Sequence, residues 1–162
     1  MILKKGRQVF CIYPDTTHSG IVIFDGKNVT SCWPELENNN LCKLLEKRPC
    51  PVMAIEGISS YGMKTKEAIF ETVEWIGRFR QAFGFEFTTR IFRKDIEMFL
   101  YGTPRTNDSN FRQRILDIFP ATGGGKTPQI GIKKQPGPLY GITWRSMGAL
   151  AIGLTYKYGM HG

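Results

Sequence analysis

A series of short extended runs at the start of the chain constrains its fold more than any other feature. The run "QVFCIY" is apolar, aromatic and β-branched, and Pro14 must end it because proline offers no N–H to a central ladder. Two more extended runs follow in "GIVIFDGKNVTSCW", where Asp25 and Gly26 suit the positive backbone angles of a tight hairpin turn. These runs predict three strands in an antiparallel meander.

The next segment predicts a short helix and then a buried parallel strand. Residues 34–47 place leucines at helical spacing, at Leu41, Leu44 and Leu45. The run "PVMAIEG" that follows is short and apolar, as expected of a strand buried on both faces, and it ends at Glu56 before a glycine. Glu56 therefore stands where α/β sheets place functional side chains, at the carboxyl end of a parallel strand.

A long amphipathic helix is predicted from Lys64 to Phe83. Apolar residues recur within it every three to four positions, and Gly84 can close it. This apolar face consists of Ile69, Val73, Ile76, Phe79 and Phe83. The strand "FEFTTRIF" comes next and completes a β-α-β crossover.

Three further helices are expected in the second half of the chain. The first runs from Asp95 to Leu100, and the second covers "NFRQRILDIF" behind a cap at Asp108 or Ser109. The last begins near Thr143 or Ser146 and carries "MGALAIGLTYKYG" across the sheet.

Length and charge limit the choice of function. A chain of 162 residues with 41% hydrophobic residues fits a single domain, expected to span residues 1–162. Its 22 Lys and Arg against 14 Asp and Glu leave a net charge of +8, which favours a polyanionic partner such as nucleic acid. No segment approaches the roughly 18 to 20 apolar residues that a membrane span needs. We therefore expect no membrane partner and a cytoplasmic location.

The connection before the last helix is the longest loop. It covers residues of about 121–141, is rich in Gly and Pro, and carries Lys126, Lys133 and Lys134. Its "GGGKT" does not predict an NTP site, since Pro120 stands where the phosphate-loop motif needs its first glycine. We expect a flexible basic loop without secondary structure, which either follows nucleic-acid phosphates or is a disordered surface loop.

Several sequence segments follow one another in a recognisable order. Together they cover nearly the whole chain, from about Val9 to Tyr156. They include "VFCIYPDTTHSGIVIFDGK", "VMAIEGISSYGM", "TPQIGIKKQPGPLYG" and "ALAIGLTY". In this order they resemble the RuvC-type Holliday junction resolvase family, in its phage-borne branch. The resemblance implies an α/β, ribonuclease H-like fold, with a mixed five-stranded sheet of three antiparallel and then parallel strands, flanked by helices. It also implies an endonuclease of DNA recombination that acts as a homodimer and nicks branched DNA with Mg²⁺.

The resemblance assigns the family's metal ligands to three positions of this chain. In the family the first strand ends in Asp-Pro-Gly, the fourth in a glutamate, and the last helix opens with an aspartate or histidine. The matching positions here are Tyr13, Glu56 and Arg145. Only Glu56 keeps a ligand, because a tyrosine phenol stays protonated near neutral pH and an arginine is a permanent cation. We therefore expect a weak or absent Mg²⁺ site and a degenerate nuclease centre.

Two further expectations concern charges in this centre. We expect Arg145 to pair with Glu56 and to fill the space of the metal. Asp15 is interpreted as a cap of the turn after the first strand. The alternative is that Asp15 swings into the site and, with Glu71 and Glu74, rebuilds a carboxylate set for Mg²⁺.

Positive side chains in the second half of the chain are the candidate DNA contacts. Without a pattern for reading bases, they favour contacts to the DNA backbone with a preference for shape. Aromatic side chains that are candidates to stack at an opened junction are Tyr61, Phe92, Tyr101 and Tyr140. The candidate basic contacts are Arg93, Lys94, Arg105, Arg112, Lys126, Lys133 and Lys134.

Three functions fit these observations. The first is a RuvC-like phage protein that binds Holliday junctions or other branched DNA in the host cell cytoplasm, with a degenerate nuclease centre and no cofactor. The second is an active Mg²⁺-dependent crossover junction endodeoxyribonuclease with a rearranged carboxylate set. The third is a non-enzymatic phage protein that acts on a host nuclease or defence complex. The sequence leaves open whether the protein is an enzyme.

Overall fold

The protein, described by a computed structural model over residues 1–59, 66–104 and 110–159, is built on one mixed five-stranded sheet. The strands are β1 (Val9–Tyr13), β2 (His18–Phe24), β3 (Val29–Glu37), β4 (Val52–Gly57) and β5 (Thr88–Phe92). Their order across the sheet is β3-β2-β1-β4-β5. Neighbours among β1 to β3 pair antiparallel, whereas β4 pairs parallel with β1 and β5. The predicted α/β fold and mixed sheet are confirmed.

Helices cover both faces of this sheet. One face carries the first two helices, and the other carries the last three. None of the helices in the described ranges is long and apolar enough to cross a membrane. The helices are α1 (Asn38–Glu46), α2 (Glu67–Phe83), α3 (Arg93–Tyr101), α4 (Phe111–Leu116) and α5 (Trp144–Leu154), and a short hairpin of β6 (Gly131–Ile132) and β7 (Gln135–Pro136) precedes α5.

Strand periodicity divides the core into two layers. Alternate residues of a strand point to opposite faces of the sheet. Phe10 and Ile12 of β1 therefore pack with α1 and α2, whereas Val9 and Cys11 pack with α5. Helix α5 is buried on all sides from Ser146 to Leu154, as expected of a helix that crosses the centre of a sheet.

Several element boundaries differ from the prediction. Residues 34–37 extend β3 instead of opening α1, because β3 continues its ladder with β2 as far as Glu37. Strand β5 begins at Thr88, since residues 85–87 form a 3₁₀ turn. On α2 the predicted core residue Val73 is exposed, and the neighbouring Thr72 is buried with its hydroxyl donating to the Ala68 carbonyl at 2.8 Å. The predicted cap of α4 lies outside the described residues.

The segment 121–141, predicted to lack secondary structure, contains the β6–β7 hairpin. Backbone hydrogen bonds tie it together, including Gly123 N–H to the Pro128 carbonyl at 2.8 Å and Gly137 N–H to the Ile130 carbonyl at 2.9 Å. A Cβ at either glycine would collide with neighbouring backbone, so glycine permits these close crossings. The abundant glycine of this segment thus serves compact folding, and the expectation of a structureless loop was wrong.

Candidate functional site

The ends of β1 and β4 bring two of the predicted site residues together. Ile12 pairs with Ile55 in the parallel ladder, so the residues that follow them, Tyr13 and Glu56, lie side by side at the same edge of the sheet. Cys11 precedes Tyr13 by two positions and faces α5. By the two-residue period of strands, Tyr13 and Glu56 also face α5. The structure therefore brings these two predicted positions together at one edge of the sheet.

Helix α5 approaches the same edge closely because two glycines leave room for it. Gly20 pairs with Tyr13 across β1 and β2, and a Cβ on Gly20 would lie 2.5 Å from the carbonyl carbon of Arg145. A Cβ on Gly148 would lie 2.5 Å from Cδ2 of the Tyr13 ring. The N-terminus of α5 is anchored by the Thr143 N–H, which donates to Ser146 Oγ at 2.7 Å. The first turn of α5 is thereby pressed onto the sheet beside Tyr13.

The Tyr13 side chain forms the centre of the site. Its ring packs on Gly148 and meets the Trp144 indole edge to face, with ring centroids 6.1 Å apart. Burial, followed by the negative charge of Glu56, raises the pKa of the Tyr13 phenol above its ordinary value of 10. The phenol therefore carries its proton at neutral pH and cannot act as an anionic ligand.

The Glu56 carboxyl lies in an environment that favours its neutral form. Burial raises the pKa of Glu56 from 4.5 to about 7, and the positive charge of Arg93 opposes this rise without cancelling it. Arg93 follows Phe92, the residue that pairs with Gly57 at the end of β4, and so begins α3 next to the site. A large fraction of Glu56 side chains is consequently protonated near pH 7.

Arg145 does not pair with Glu56, and that expectation was wrong. Its guanidinium lies 3.2 Å from Asp15 Oδ2 and 3.2 Å from Glu35 Oε2. The sheet order explains this result, because Arg145 extends toward β2 and β3, whereas Glu56 lies on β4 at the other side of β1. Tyr13 lies on β1, the strand between these two sides, and the charges of both Glu56 and Arg145 act on its phenol. The volume beside Glu56 is thus bordered by a phenol and not by the Arg145 guanidinium.

Asp15 holds the turn after β1 and also binds Arg145. Its Oδ1 accepts the Thr16 N–H at 2.8 Å, and its own N–H donates to Ser19 Oγ at 3.3 Å. The turn role predicted for Asp15 agrees with these contacts. The alternative, in which Asp15 swings toward Glu56, would require the ion pair with Arg145 to break.

The residues at the three ligand positions do not fit a magnesium ion. Mg²⁺ requires an octahedron of oxygens, mostly from carboxylates and water. Tyr13 offers a protonated phenol, Glu56 offers a carboxyl with a pKa of about 7, and Arg145 offers a cation. Within residues 1–59, 66–104 and 110–159, no group of three or more His, Cys, Asp and Glu side chains converges as a metal site. We derive no chemical step through a metal from this arrangement.

The predicted basic contacts are spread over two regions. Arg93 and Arg112 lie close to the site, on α3 and α4, and Lys94 is exposed beside Arg93. The three lysines of the hairpin segment are exposed and lie before α5. Arg105 and the aromatic candidate Tyr61 lie outside the described residues.

Sequence reasoning missed three residues that the structure places at the site. Trp144 and Phe111 line a cavity of about 210 Å³ together with Tyr13, and Glu35 of β3 binds Arg145. Trp144 immediately precedes Arg145, so an exposed aromatic residue at the start of the last helix was an available signal. Glu35 lay in a segment predicted as helix, which hid its place on β3.

The fold built from these elements is of the α/β, ribonuclease H-like class found in RuvC. The structure of RuvC from Thermus thermophilus is similar with a TM-score of 0.60 and 17% sequence identity, over 91% of this chain and 92% of that chain. T. thermophilus RuvC in complex with a Holliday junction substrate is similar with a TM-score of 0.62 and 17% identity, over 93% and 92% of the two chains. No protein-family model matches the sequence, and no curated protein matches it either. The likeness establishes the RuvC-like fold, whereas a phage origin and the loss of ligands remain predictions.

Proposed function

We propose that the protein binds Holliday junctions or other branched DNA and does not cut them. The observation that carries this proposal is the set of side chains at the edge of a RuvC-like sheet, where Tyr13, Glu56 and Arg145 are unsuited to Mg²⁺. Such a centre retains the shape of a junction-binding fold but lacks the oxygens that activate water and balance charge on a phosphate. The protein then shields or remodels junctions, and a phage origin would place this activity in the host cell cytoplasm.

Positive charge supports the DNA-binding part of the proposal. The chain carries a net charge of +8, and described basic side chains on α3, α4 and the hairpin segment are exposed or partly exposed. Lysines and arginines that contact phosphates release counterions from DNA, which gives binding a steep dependence on salt. The four candidate basic residues that are most exposed near the hairpin and α4 are Arg112, Lys126, Lys133 and Lys134.

A homodimer is part of the same proposal, with α2 as its interface. Phe70 and Val73 are 58% and 45% exposed on the outer surface of α2. Gly77 follows at helical spacing from both, and open space surrounds the position of its missing side chain. An exposed apolar stripe with a small residue suits close helix packing between two copies. Sedimentation of the protein and of a Phe70→Glu variant tests this interface, with a dimer expected only for the unaltered chain.

A labelled four-way junction tests the proposed function. Mobility shift and strand nicking are followed with and without Mg²⁺ or Mn²⁺, beside a linear duplex of the same arm sequence. We expect binding that favours the junction, no nicking by the unaltered protein, and metal-dependent nicking by the double variant Tyr13→Asp/Arg145→Asp. Nicking by the unaltered protein that disappears in Glu56→Gln would overturn the proposal in favour of an active endonuclease. Equal binding to junction and duplex would contradict the preference for branched DNA, and absent binding to both would favour a protein that acts on a host protein.

A further inference from the structure

Among the described residues near the site, Trp144 is the most exposed aromatic side chain. The indole is 67% exposed at the first residue of α5 and belongs to neither core layer. The Arg145 guanidinium lies over its ring, 5.0 Å from the centroid, and the Tyr13 ring meets it from the side. These contacts orient the indole without covering it. An oriented and exposed indole offers a flat apolar surface to a partner.

Two neighbouring cavities share this indole as part of their lining. One, of about 210 Å³, is lined by Tyr13, Arg93, Phe111, Trp144 and Gly148. The other, of about 180 Å³, shares Phe111 and Trp144 and is completed by the side chains of Arg112, Ile142, Thr143 and Met147. We call this continuous surface the Trp144 groove. Its walls are aromatic and aliphatic, and arginines stand at its rim.

Arg93 of the groove is held in place by an aromatic contact and an ion pair. The Arg93 guanidinium lies 5.2 Å from the centroid of the Phe111 ring and also pairs with Glu97 at 3.3 Å. Arg112, the residue that follows Phe111 in α4, is exposed to solvent. The groove therefore combines a flat apolar interior with positive charge at its margin. This combination is complementary to a nucleotide, whose base is flat and aromatic and whose phosphate is negative.

We propose that the Trp144 groove binds one unpaired nucleobase of a DNA strand, which stacks on the indole while its phosphate contacts Arg112. This inference rests on the proposed function, because it names the part of branched DNA that the site recognises. A base within a continuous duplex is stacked on both faces and cannot reach the indole. A base at the centre of an opened junction or in a single strand can do so. The groove thus selects unpaired bases next to the degenerate centre.

The test compares three DNA probes by fluorescence anisotropy: a labelled dT12 single strand, a 12-base-pair duplex and a four-way junction. The variants are Trp144→Ala, Trp144→Phe and Arg112→Gln. Phe85→Ala serves as the matched control, because Phe85 is 52% exposed and lies under the Arg80 guanidinium at 3.8 Å. It precedes β5 and therefore lies at the opposite edge of the sheet from the site.

We expect Trp144→Ala to lower the affinity for dT12 and for the junction about tenfold and to leave duplex affinity unchanged. Trp144→Phe should restore most of the loss, since a phenyl ring still stacks, and Phe85→Ala should change nothing. Arg112→Gln should reduce the slope of log affinity against log salt by about 1 for all three probes. In the unaltered protein, dT12 should also reduce the quenching of tryptophan fluorescence by acrylamide, whereas the duplex should not.

The outcomes separate the groove from the proposed function. Junction binding that is unaffected by Trp144→Ala would contradict the proposal that the Trp144 groove binds a base. The proposal of junction recognition would then stand. Loss of dT12 binding in Trp144→Ala together with no preference for the junction would support the groove and overturn junction recognition. If dT12 and the junction both fail to bind the unaltered protein, both proposals are wrong. An equal loss of duplex and single-strand affinity in Trp144→Ala would indicate a general change of the surface and would contradict the proposed base-binding groove.

Discussion

The two regions on either side of Tyr13 stabilise their acidic side chains in different ways. Toward β2 and β3, Arg145 lies between two carboxylates at 3.2 Å from each, in a setting that solvent reaches. Toward β4, Glu56 is a carboxyl within the protein, and burial raises its pKa to about 7 against the opposing charge of Arg93. One side pairs its two carboxylates with a single guanidinium, and the other side favours the protonated form of its carboxyl.

This difference explains how acidic side chains are stabilised at the sheet edge although they do not share a common site. A buried carboxylate is costly unless it is paired, hydrogen-bonded or protonated. The Tyr13 ring, pressed between β1 and Gly148, separates the two regions. The edge of the RuvC-like sheet is thereby divided into two regions, one with an ion-paired guanidinium and one with a carboxyl of raised pKa.

The largest effect is expected where α5 crosses β2. Gly20→Ala would place a Cβ 2.5 Å from the backbone of Arg145, so helix and strand must move apart. We expect a loss of about 3 kcal/mol in the free energy of unfolding, measured by urea denaturation. Gly6→Ala is the control, because Gly6 is exposed and the atoms nearest to an added Cβ, the Asp25 carbonyl oxygen and Lys157 Nζ, lie at an ordinary contact distance of 3.7 Å. A Gly20→Ala variant as stable as the parent would mean that α5 does not contact β2 so closely.

The partly buried carboxyl of Glu56 should make stability depend on pH. Below pH 4.5 Glu56 is protonated in both the folded and unfolded chains, and above it the unfolded chain releases the proton first. Stability therefore falls as pH rises from 4.5 through about 7, by about 3 kcal/mol in total because one pKa unit is worth about 1.4 kcal/mol. Glu56→Gln should equal the parent at pH 4 and exceed its stability at pH 8. Urea unfolding at both pH values measures this difference.

The exposed Glu86 supplies the matched control for this experiment. Glu86→Gln should shift stability by a similar small amount at pH 4 and pH 8. If Glu56→Gln and the parent lose stability in parallel over this range, then Glu56 is an ordinary solvated carboxylate and the contrast between the two regions disappears.

The packing of Gly148 against the Tyr13 ring should appear as an energetic coupling between these two residues. Gly148→Ala would bring a Cβ to 2.5 Å from Cδ2 of Tyr13 and should cost about 2 kcal/mol. In a Tyr13→Ala background the ring is absent, so the same change at Gly148 should cost much less. A double-mutant cycle measures the coupling, expected to be about 1 to 2 kcal/mol. Additive losses would show that the ring does not fill this space.

The smallest effect is expected in the solvent-exposed region. Arg145→Met removes both ion pairs, yet Asp15 and Glu35 remain able to contact water. Ion pairs of this kind contribute about 1 kcal/mol or less, and salt should reduce that contribution. Thermal unfolding at low and high salt measures it, with Asp15→Asn as the companion variant. A loss of several kcal/mol that salt does not change would place Arg145 in a buried pair, contrary to the contrast drawn above.

The sequence predicted the sheet and the positions of Tyr13 and Glu56 because these depend on local patterns. Apolar runs, Pro14 and the Asp25 turn set the strands, and Asp25 indeed accepts the Lys27 and Asn28 N–H groups at 2.9 and 2.7 Å. A parallel register then places equivalent strand ends side by side. The exposure of Val73 and the end of β3 escaped prediction, since helix rotation and ladder length depend on contacts with distant segments.

The amino-acid sequence by itself determined which side chains occupy the edge of the sheet: a phenol, a carboxyl and a guanidinium on β1, β4 and α5. Only the tertiary structure decided which of these groups form ion pairs and with which partners. Arg145 met Asp15 and Glu35 because α5 crosses β2 at Gly20 and directs the guanidinium away from β4. Partner choice depends on the path of the backbone in space, which no local spacing of residues encodes.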